Sequence, residues 1–414
     1  MCDLPEGWKK SNFGEIAEVI MGQSPKGEEC NTTGIGIPLL NGPTEFGAKT
    51  PIPVQFTTSA RKVSEINDIL FCVRGSTTGK MNWADQQYAL GRGLAAIRHK
   101  EGGKYQTFVR GVMDNRLKSL LSCATGSTFP NVSRSQLEKM EILLPPLPEQ
   151  KAIADMLSSF DEKIELLREQ NKTLETLAQA IFKEWFVHFN YPDLSACGHA
   201  QADATGEMVD SELGLIPKGW RAGSLLEVFD LIGGGTPKTS IDEYWNGGIP
   251  WYSVVDAPKG SETFVIETEK NISSLGLSKS STKLLSKGTS IVSARGTVGK
   301  LALVGRETAM NQSCYGVKGK GFFGDYYVYF QLKEALNSLK SRVHGAVFDT
   351  ITQPTFKNIM VTLPDNEVVT SYEERVTPIM EKILNNVLQI QSLSKTRDTI
   401  LPKLMSGNLR ISIT

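Results

Sequence analysis

Two glycine-bounded segments carry the residue types best suited to gripping phosphate: Arg74-Gly-Ser-Thr-Thr-Gly-Lys80 and Arg295-Gly-Thr-Val-Gly-Lys300. The phosphate-binding loop of nucleotide hydrolases needs Gly-x-x-x-x-Gly-Lys-Ser/Thr, so that backbone N–H groups and the lysine surround the phosphates. In the first segment the glycines stand one residue too close and Met81 follows the lysine; the second segment is shorter still. Each reads instead as strand, tight turn and strand, exposing one arginine and one lysine. The four histidines (His99, His188, His199, His344) lie in unrelated contexts, and the six cysteines include no C-x-x-C pair. Neither a metal site nor a disulfide framework is expected. The sequence also lacks G-x-S-x-G, H-E-x-x-H, a dinucleotide fingerprint and the Asn/Asp-Pro-Pro-Tyr/Phe element of DNA methyltransferases. With no catalytic set to assemble, the expectation is a binding protein.

The two segments belong to a longer duplication. PEGWK at 5–9 and PKGWR at 217–221 open two stretches that stay in register. At an offset of 212, Glu15 meets Glu227, Ile20 meets Ile232, Gly22 meets Gly234 and Ile37-Pro38 meets Ile249-Pro250. The offset drifts to 220–221 at the Arg/Lys turns and settles at 219 from Gly126 and Phe129 (Gly345 and Phe348) onward. Insertions of a few residues between anchors are what surface loops permit. A period above 200 residues makes each copy a full domain rather than a solenoid repeat. Short β-branched runs such as Ile69–Val73, Leu94–Ile97, Ser290–Ser293 and Leu301–Val304 mark both copies as mixed α/β, strand- and loop-rich.

Hydrophobic residues make up 40% and charged residues 22% of the 414-residue chain, ordinary values for a globular protein. No apolar run reaches the ~18–20 residues that span a bilayer, and no secretory leader opens the chain. A cytoplasmic location is expected. Net charge is zero but unevenly spread. Residues 1–148 carry 17 basic and 14 acidic side chains, 211–364 carry 17 and 13, and 149–210 carry 5 and 12. The repeated units are mildly basic and the segment between them is acidic. That excess is too small for strong autonomous binding to nucleic acid, so partners would supply part of any phosphate grip.

Each copy ends in a heptad-like helix. Ile153, Leu157, Phe160, Ile164, Leu167, Asn171, Leu174, Ala178, Ile181 and Trp185 step by three and four after the entrance L-P-P-L-P-E-Q. The second series is Val376, Ile379, Ile383, Asn386, Ile390, Leu393, Arg397, Ile400 and Leu404. Pro378 predicts a late start or a kink there. Laid antiparallel so that facing positions sum to 557, the seams match Ile164 with Leu393, Leu167 with Ile390, Leu174 with Ile383 and Asn171 with Asn386. The asparagine pair would fix that register, at the cost of a poor contact between Phe160 and Arg397. Two helices packed separately on their own domains is the other arrangement. The expected organisation is a domain at 1–148, helix 149–190, linker 191–216, domain 217–365, helix 366–406 and tail 407–414. Together this is a tandem repeat with pseudo-two-fold symmetry, its two helices forming an antiparallel coiled coil.

Domain, long helix, domain, long helix resembles the specificity subunit of type I restriction-modification systems. The resemblance rests on LPEGWK and LIPKGWR at the domain starts, GGGTPKTSIDEYWNGGIPW at 233–251, ARGTVGK at 294–300 and LPPLPEQKAIADMLSSFDEKI at 144–164. AIFKEWFVHF, SELGLIPKGW and LPKLMSGNLRI extend it over essentially the whole length. The first copy departs from it, with MGQSPKG where the second has GGGTPKT. The resemblance implies two target-recognition domains, each reading one half of a bipartite, asymmetric site on double-stranded DNA. It also implies a helical spacer that docks two methyltransferase subunits. Those partners would use S-adenosylmethionine, and motor-nuclease subunits could join them; this chain itself would bind no cofactor and catalyse nothing.

Candidate DNA-binding residues are then Gln23, Ser24 and Lys26 opposite Thr236 and Lys238, Arg74 and Lys80 opposite Arg295 and Lys300, and Arg92 opposite Gln312. Arginine and glutamine suit guanine and adenine. A residue shared by both copies cannot explain two different readings, so Arg74 and Arg295 stand between base contact and a phosphate or fold role. Trp8 and Trp220 are expected in domain cores. The helix seam or partner surface comprises Leu157, Ile164, Leu167, Asn171, Leu174, Ile181 and Trp185 with Ile383, Asn386, Ile390, Leu393 and Ile400. The alternative from another class is a coiled-coil scaffold presenting two protein-interaction domains without touching DNA.

Overall fold

A computed structural model describes residues 4–123, 130–192, 207–258, 262–342 and 350–411. The chain divides into two compact units, Met1–Ile164 with Ser392–Thr414, and Glu165–Gln391. The division falls inside the two long helices, Leu147–Phe186 and Asn366–Met405, because each unit buries its own portion of them.

In the first unit a four-stranded antiparallel sheet runs in the order Ala17–Met21, Leu94–His99, Ile69–Cys72, Met81–Trp83. Ile-Leu-Phe-Cys at its centre is buried on both faces, which is why it reads as an unbroken apolar run. A second sheet has the order Cys30–Asn31, Gln55–Thr57, Ile37–Leu40, Ala89–Leu90, its last pair parallel. Lys9–Asn12 pairs with Glu141–Leu144 and brings the ends of the domain together. One face of the first sheet is covered by the helix Gln106–Ser122 and by Ile153, Ala154, Leu157, Leu404 and Met405 of the long helices.

The second unit repeats this plan. Phe229–Gly233, Cys314–Gly319, Ser290–Ser293, Leu301–Val304 and Phe264–Val265 form one sheet; Asn271–Ile272, Trp245–Tyr252 and Ala309–Met310 form the other. Arg221–Ser224 pairs with Met360–Leu363 as the end-joining ribbon. The stretch read as a linker closes in a hairpin, Met208–Ser211 with Gly214–Pro217, that delivers buried Ile216 to the core; residues 193–206 of it lie outside the described residues, as do Gly126, Phe129, Gly345 and Phe348.

Trp8 and Trp220 are both buried. The Trp8 indole N–H donates to Glu149 Oε2 at 3.0 Å, and Arg410 grips the same carboxylate with contacts of 2.9 and 2.7 Å. Trp220 instead stands in an aromatic cluster: Phe186 lies 5.9 Å from it, 4.8 Å from Tyr327 and 5.1 Å from Tyr372.

Within the second unit the two long helices run antiparallel. Asn386 Nδ2 donates to Asn171 Oδ1 at 2.8 Å, and Trp185 packs edge-on to Tyr372 at 5.9 Å. In the first unit Arg397 turns from Phe160 to its neighbour, bonding Asp161 Oδ1 at 2.5 Å. Two readings need correction. The second helix does not start late: it runs from Asn366 through Pro378 to Met405, and both Pro378 and Glu374, whose carbonyl loses its donor, lie on the exposed side, where that oxygen is open to solvent. The buried stripe also leaves the strict heptad: Leu174 and Ile181 are half-buried while Phe182 and Phe186, off the series, are buried. An α-helix drifts by roughly 20° per heptad against a straight 3.5-residue seam, which widens the stripe. No helix of the described residues is long and apolar enough to cross a membrane.

One half-buried acid ties the second helix to its domain. Glu373 Oε1 accepts the backbone N–H of Tyr327 at 2.6 Å, in the first turn of Asp325–Arg342. Burial pushes its carboxyl up to about 7, helped by the nearby Asp325 charge and opposed by the amide donors. A carboxyl raised in the folded state makes the protein most stable where it is protonated. That stability is lost as pH climbs from the ordinary 4.5 through about 7. At about 1.4 kcal/mol per pK unit the loss is on the order of 3 kcal/mol. Glu373→Gln should therefore flatten the fall in melting temperature between pH 5 and 8, read by calorimetry of both proteins across that range.

Candidate nucleic-acid interface

The candidate side chains of each unit come from loops joined by main-chain hydrogen bonds. In the first unit Gly22 N donates to Leu94 O (2.9 Å), Gln23 N to Leu90 O (2.8 Å), Val73 N to Gly93 O (2.9 Å) and Val132 N to Val73 O (2.9 Å). Ser24 Oγ accepts the amide of Arg92 at 3.1 Å. Four separate segments thus meet at one end of the first sheet. The second unit repeats the junction: Gly235 N to Met310 O (3.0 Å), Ala294 N to Ser313 O (2.8 Å) and Ile351 N to Ala294 O (2.8 Å). There the Thr236 hydroxyl donates to Gln312 Oε1. Residues 24 with 92 and 236 with 312, aligned by offset alone, are partners in space.

Glycine is required at this junction. A Cβ on Gly22 would run into the carbonyl oxygen of Gly91, and one on Gly234 into that of Asn311. The Arg/Lys turns need it for another reason. Gly75 and Gly79 have φ of +96° and +94°, and Gly296 and Gly299 have +75° and +76°, the left-handed region that glycine enters at no steric cost. The phosphate-loop look-alike is a strand–turn–strand: Ile69–Cys72 pairs with Met81–Trp83, and Ser290–Ser293 with Leu301–Val304.

Gln23, Lys26, Arg74, Lys80 and Arg92 are exposed, as are Thr236, Lys238, Arg295, Lys300 and Gln312; Ser24 is half-buried. The backbones of Arg74 and Arg295 bridge to Asn131 and Thr350. Their main chain holds the turn while the guanidinium faces outward, a geometry suited to phosphate. Among the described residues Arg74, Lys80, Arg92, Lys238, Arg295 and Lys300 enter no salt bridge, whereas Lys26 lies 3.7 Å from Glu28 and Arg61 is held by Glu29 at 3.1 Å. Unneutralised cations on a convergent loop face are an anion-attracting surface.

The helix-seam candidates lie elsewhere. Leu157, Ile164, Leu167, Asn171 and Trp185 of the first helix are buried, as are Ile383 and Asn386 of the second; Ile390, Leu393 and Ile400 are half-buried. Sequence reasoning missed Asn41 and Gln55, which share a recess with Ser24 and Arg92. Asn41 aligns with Ser253 at the offset of 212, and a polar difference between copies at a strand end was the available signal.

The loop junction makes a specific expectation. Gly22→Ala forces the 90–94 segment to move and should lower stability by about 1–3 kcal/mol, as overpacking does. Gly27→Ala, where a Cβ meets nothing within 4 Å, should change it by less than about 0.5 kcal/mol; urea denaturation of both variants distinguishes them.

Comparison with known proteins places this geometry. A family model described as the type I restriction modification DNA specificity domain matches residues 5–176 and again 217–392. The specificity subunit of the MjaIX type I restriction enzyme of Methanocaldococcus jannaschii is 29% identical over 429 residues, covering 99% of this chain and 95% of the relative. That of the HindI enzyme of Haemophilus influenzae is 24% identical over 339 residues, covering 70% and 73%. The crystal structure of a type I restriction-modification S subunit from M. genitalium covers 98% of both chains, with a TM-score of 0.58 at 19% identity, and so shares the fold. With its domain model matched twice along the chain, this protein belongs to the type I restriction modification DNA specificity family.

Proposed function

We propose that the chain is the DNA sequence-specificity subunit of a type I restriction-modification complex, acting in the cytoplasm. Each loop face reads one half of a bipartite, asymmetric site. The observation that carries this reading is the duplicated junction: one backbone frame built twice, bearing different side chains at Ser24/Thr236 and Arg92/Gln312. A reader of two unlike half-sites needs that combination, since phosphate contacts place a protein and base-edge contacts specify sequence. The uncompensated lysines and arginines supply the placement.

On this reading residues 1–148 and 217–365 are the recognition domains. The two 40-residue helices form an antiparallel coiled coil that spaces them, with Asn171 and Asn386 holding its register. Half-sites about one helical turn apart, ~34–36 Å, lie on one face of DNA. The same helices dock two methyltransferase subunits, which bind S-adenosylmethionine and carry out the chemistry; motor-nuclease subunits complete the restriction form. This chain contributes differential binding and no catalytic group.

Co-expression with the methyltransferase subunit of the same locus, followed by genome-wide mapping of N6-methyladenine, tests the reading. One split motif with a fixed gap is expected. A complex that forms yet leaves the genome unmethylated contradicts it and favours a protein-binding scaffold.

A further inference from the structure

The recess of the first unit, about 480 Å³, is lined by Ser24, Asn31, Asn41, Gln55 and Arg92 among others. Its polar side chains are not equivalent. The Asn31 amide is consumed by its own loop, donating to Ile35 O and accepting from the amides of Thr33 and Ile35. The Ser24 hydroxyl accepts the amide of Arg92, which fixes its position in the loop. Asn41 and Gln55 spend only part of their capacity: Asn41 Nδ2 donates to Gln55 Oε1 at 2.8 Å, in an exposed position. That bond links the two amides and leaves the Asn41 Oδ1 acceptor and the Gln55 Nε2 donors without a partner among the described residues. The major-groove edge of adenine offers N6–H as donor and N7 as acceptor, the complement of that pair. At the rim, Arg92 is exposed and enters no salt bridge among the described residues, and guanidinium matches guanine O6 and N7.

The second unit carries different chemistry at the same places. Ser253, aligned with Asn41, is tied to Asp256 Oδ2 through both its amide (2.8 Å) and its hydroxyl (3.0 Å). Lys270 takes the strand position of Gln55: Leu39 pairs with Gln55 in the first unit, and Pro250 pairs with Asn271, the next residue along, in the second. Gln312 accepts from the Thr236 hydroxyl at its carbonyl and keeps its amide donors for a ligand. The first face thus presents two partly free amides, whereas the second presents a lysine, a glutamine already bonded to Thr236 and a serine bonded to Asp256.

We propose that the Asn41–Gln55 amide pair is the adenine-reading element of the first recognition unit, and that positions 41, 55 and 92, with 253, 270 and 312, set the specificity of the two units. This rests on the specificity-subunit reading above. Arg74, Lys80, Arg295 and Lys300, alike in both copies, hold phosphates and carry no sequence information.

The test uses the full chain assembled with its methyltransferase subunits, mapping N6-methyladenine in cells that express each variant. Asn41→Ala combined with Gln55→Ala should relax one A·T position of one half-site, with roughly ten- to hundredfold less discrimination there. The other half-site and the gap should stay as they were. Lys80→Glu with Lys300→Glu should lower methylation of all sites alike and leave the motif intact. If the amide variant abolishes methylation, competition binding of the purified complex to the wild-type duplex and to singly substituted duplexes decides. Lost preference at one A·T pair supports the proposal, and weaker binding with every preference preserved overturns it. An unchanged motif at normal efficiency also overturns it, while the specificity reading survives. A wild-type complex that methylates no split motif removes that reading and this proposal with it.

Discussion

Everything else in the candidate interface depends on main-chain bonds between segments distant in sequence, Val73 to Gly93 in one unit and Ala294 to Ser313 in the other. A backbone N–H to carbonyl bond does not depend on the side chain that follows it. The loops can therefore exchange arginine for glutamine at 92 and 312 without moving, provided glycine stays where backbones touch. Gly22 and Gly234 meet that condition against the carbonyls of Gly91 and Asn311. An invariant frame carrying interchangeable side chains is the physical requirement for a reader of sequence.

The frame is anchored by buried and half-buried polar contacts of two kinds. In the first unit Glu149 accepts the Trp8 indole and the Arg410 guanidinium, joining the domain start, the long helix and the C-terminal segment. In the second unit Glu373 accepts from the first turn of Asp325–Arg342, and Asn386 pairs with Asn171. Apolar surface drives these helices together, but it is indifferent to a slip of one turn. Directional bonds in a water-poor setting are not, because a displaced partner leaves a buried polar group unpaired.

The duplication was legible because its anchors are residues with no substitute: tryptophans in cores, glycines at positive φ, prolines at domain ends. Asn171 and Asn386 could be matched across 215 residues since a polar residue in an apolar seam has few places to go. Phe182 and Phe186 were not read into the cluster because a strict heptad discards residues one step off the seam, and Tyr372, in register four residues before Val376, lay ahead of the series read. Pro378 did not delay the helix, since the carbonyl it leaves without a donor lies on an exposed face. Asn41 left only the signal of differing from Ser253, and its pairing with Gln55 was hidden for a different reason. The alignment offset changes from 212 to 215 between them, in irregular chain without anchors, and only their hydrogen bond reveals that they act together.

The central claim is that two equivalent faces of one chain each meet one half of a DNA site. Photo-crosslinking measures it directly: a photoreactive residue replaces Arg92 in one complex and Gln312 in another, and each is irradiated on the mapped duplex. Position 92 should attach to one half-site alone and position 312 to the other alone. Crosslinks from neither position, or from both into the same half, would contradict the account.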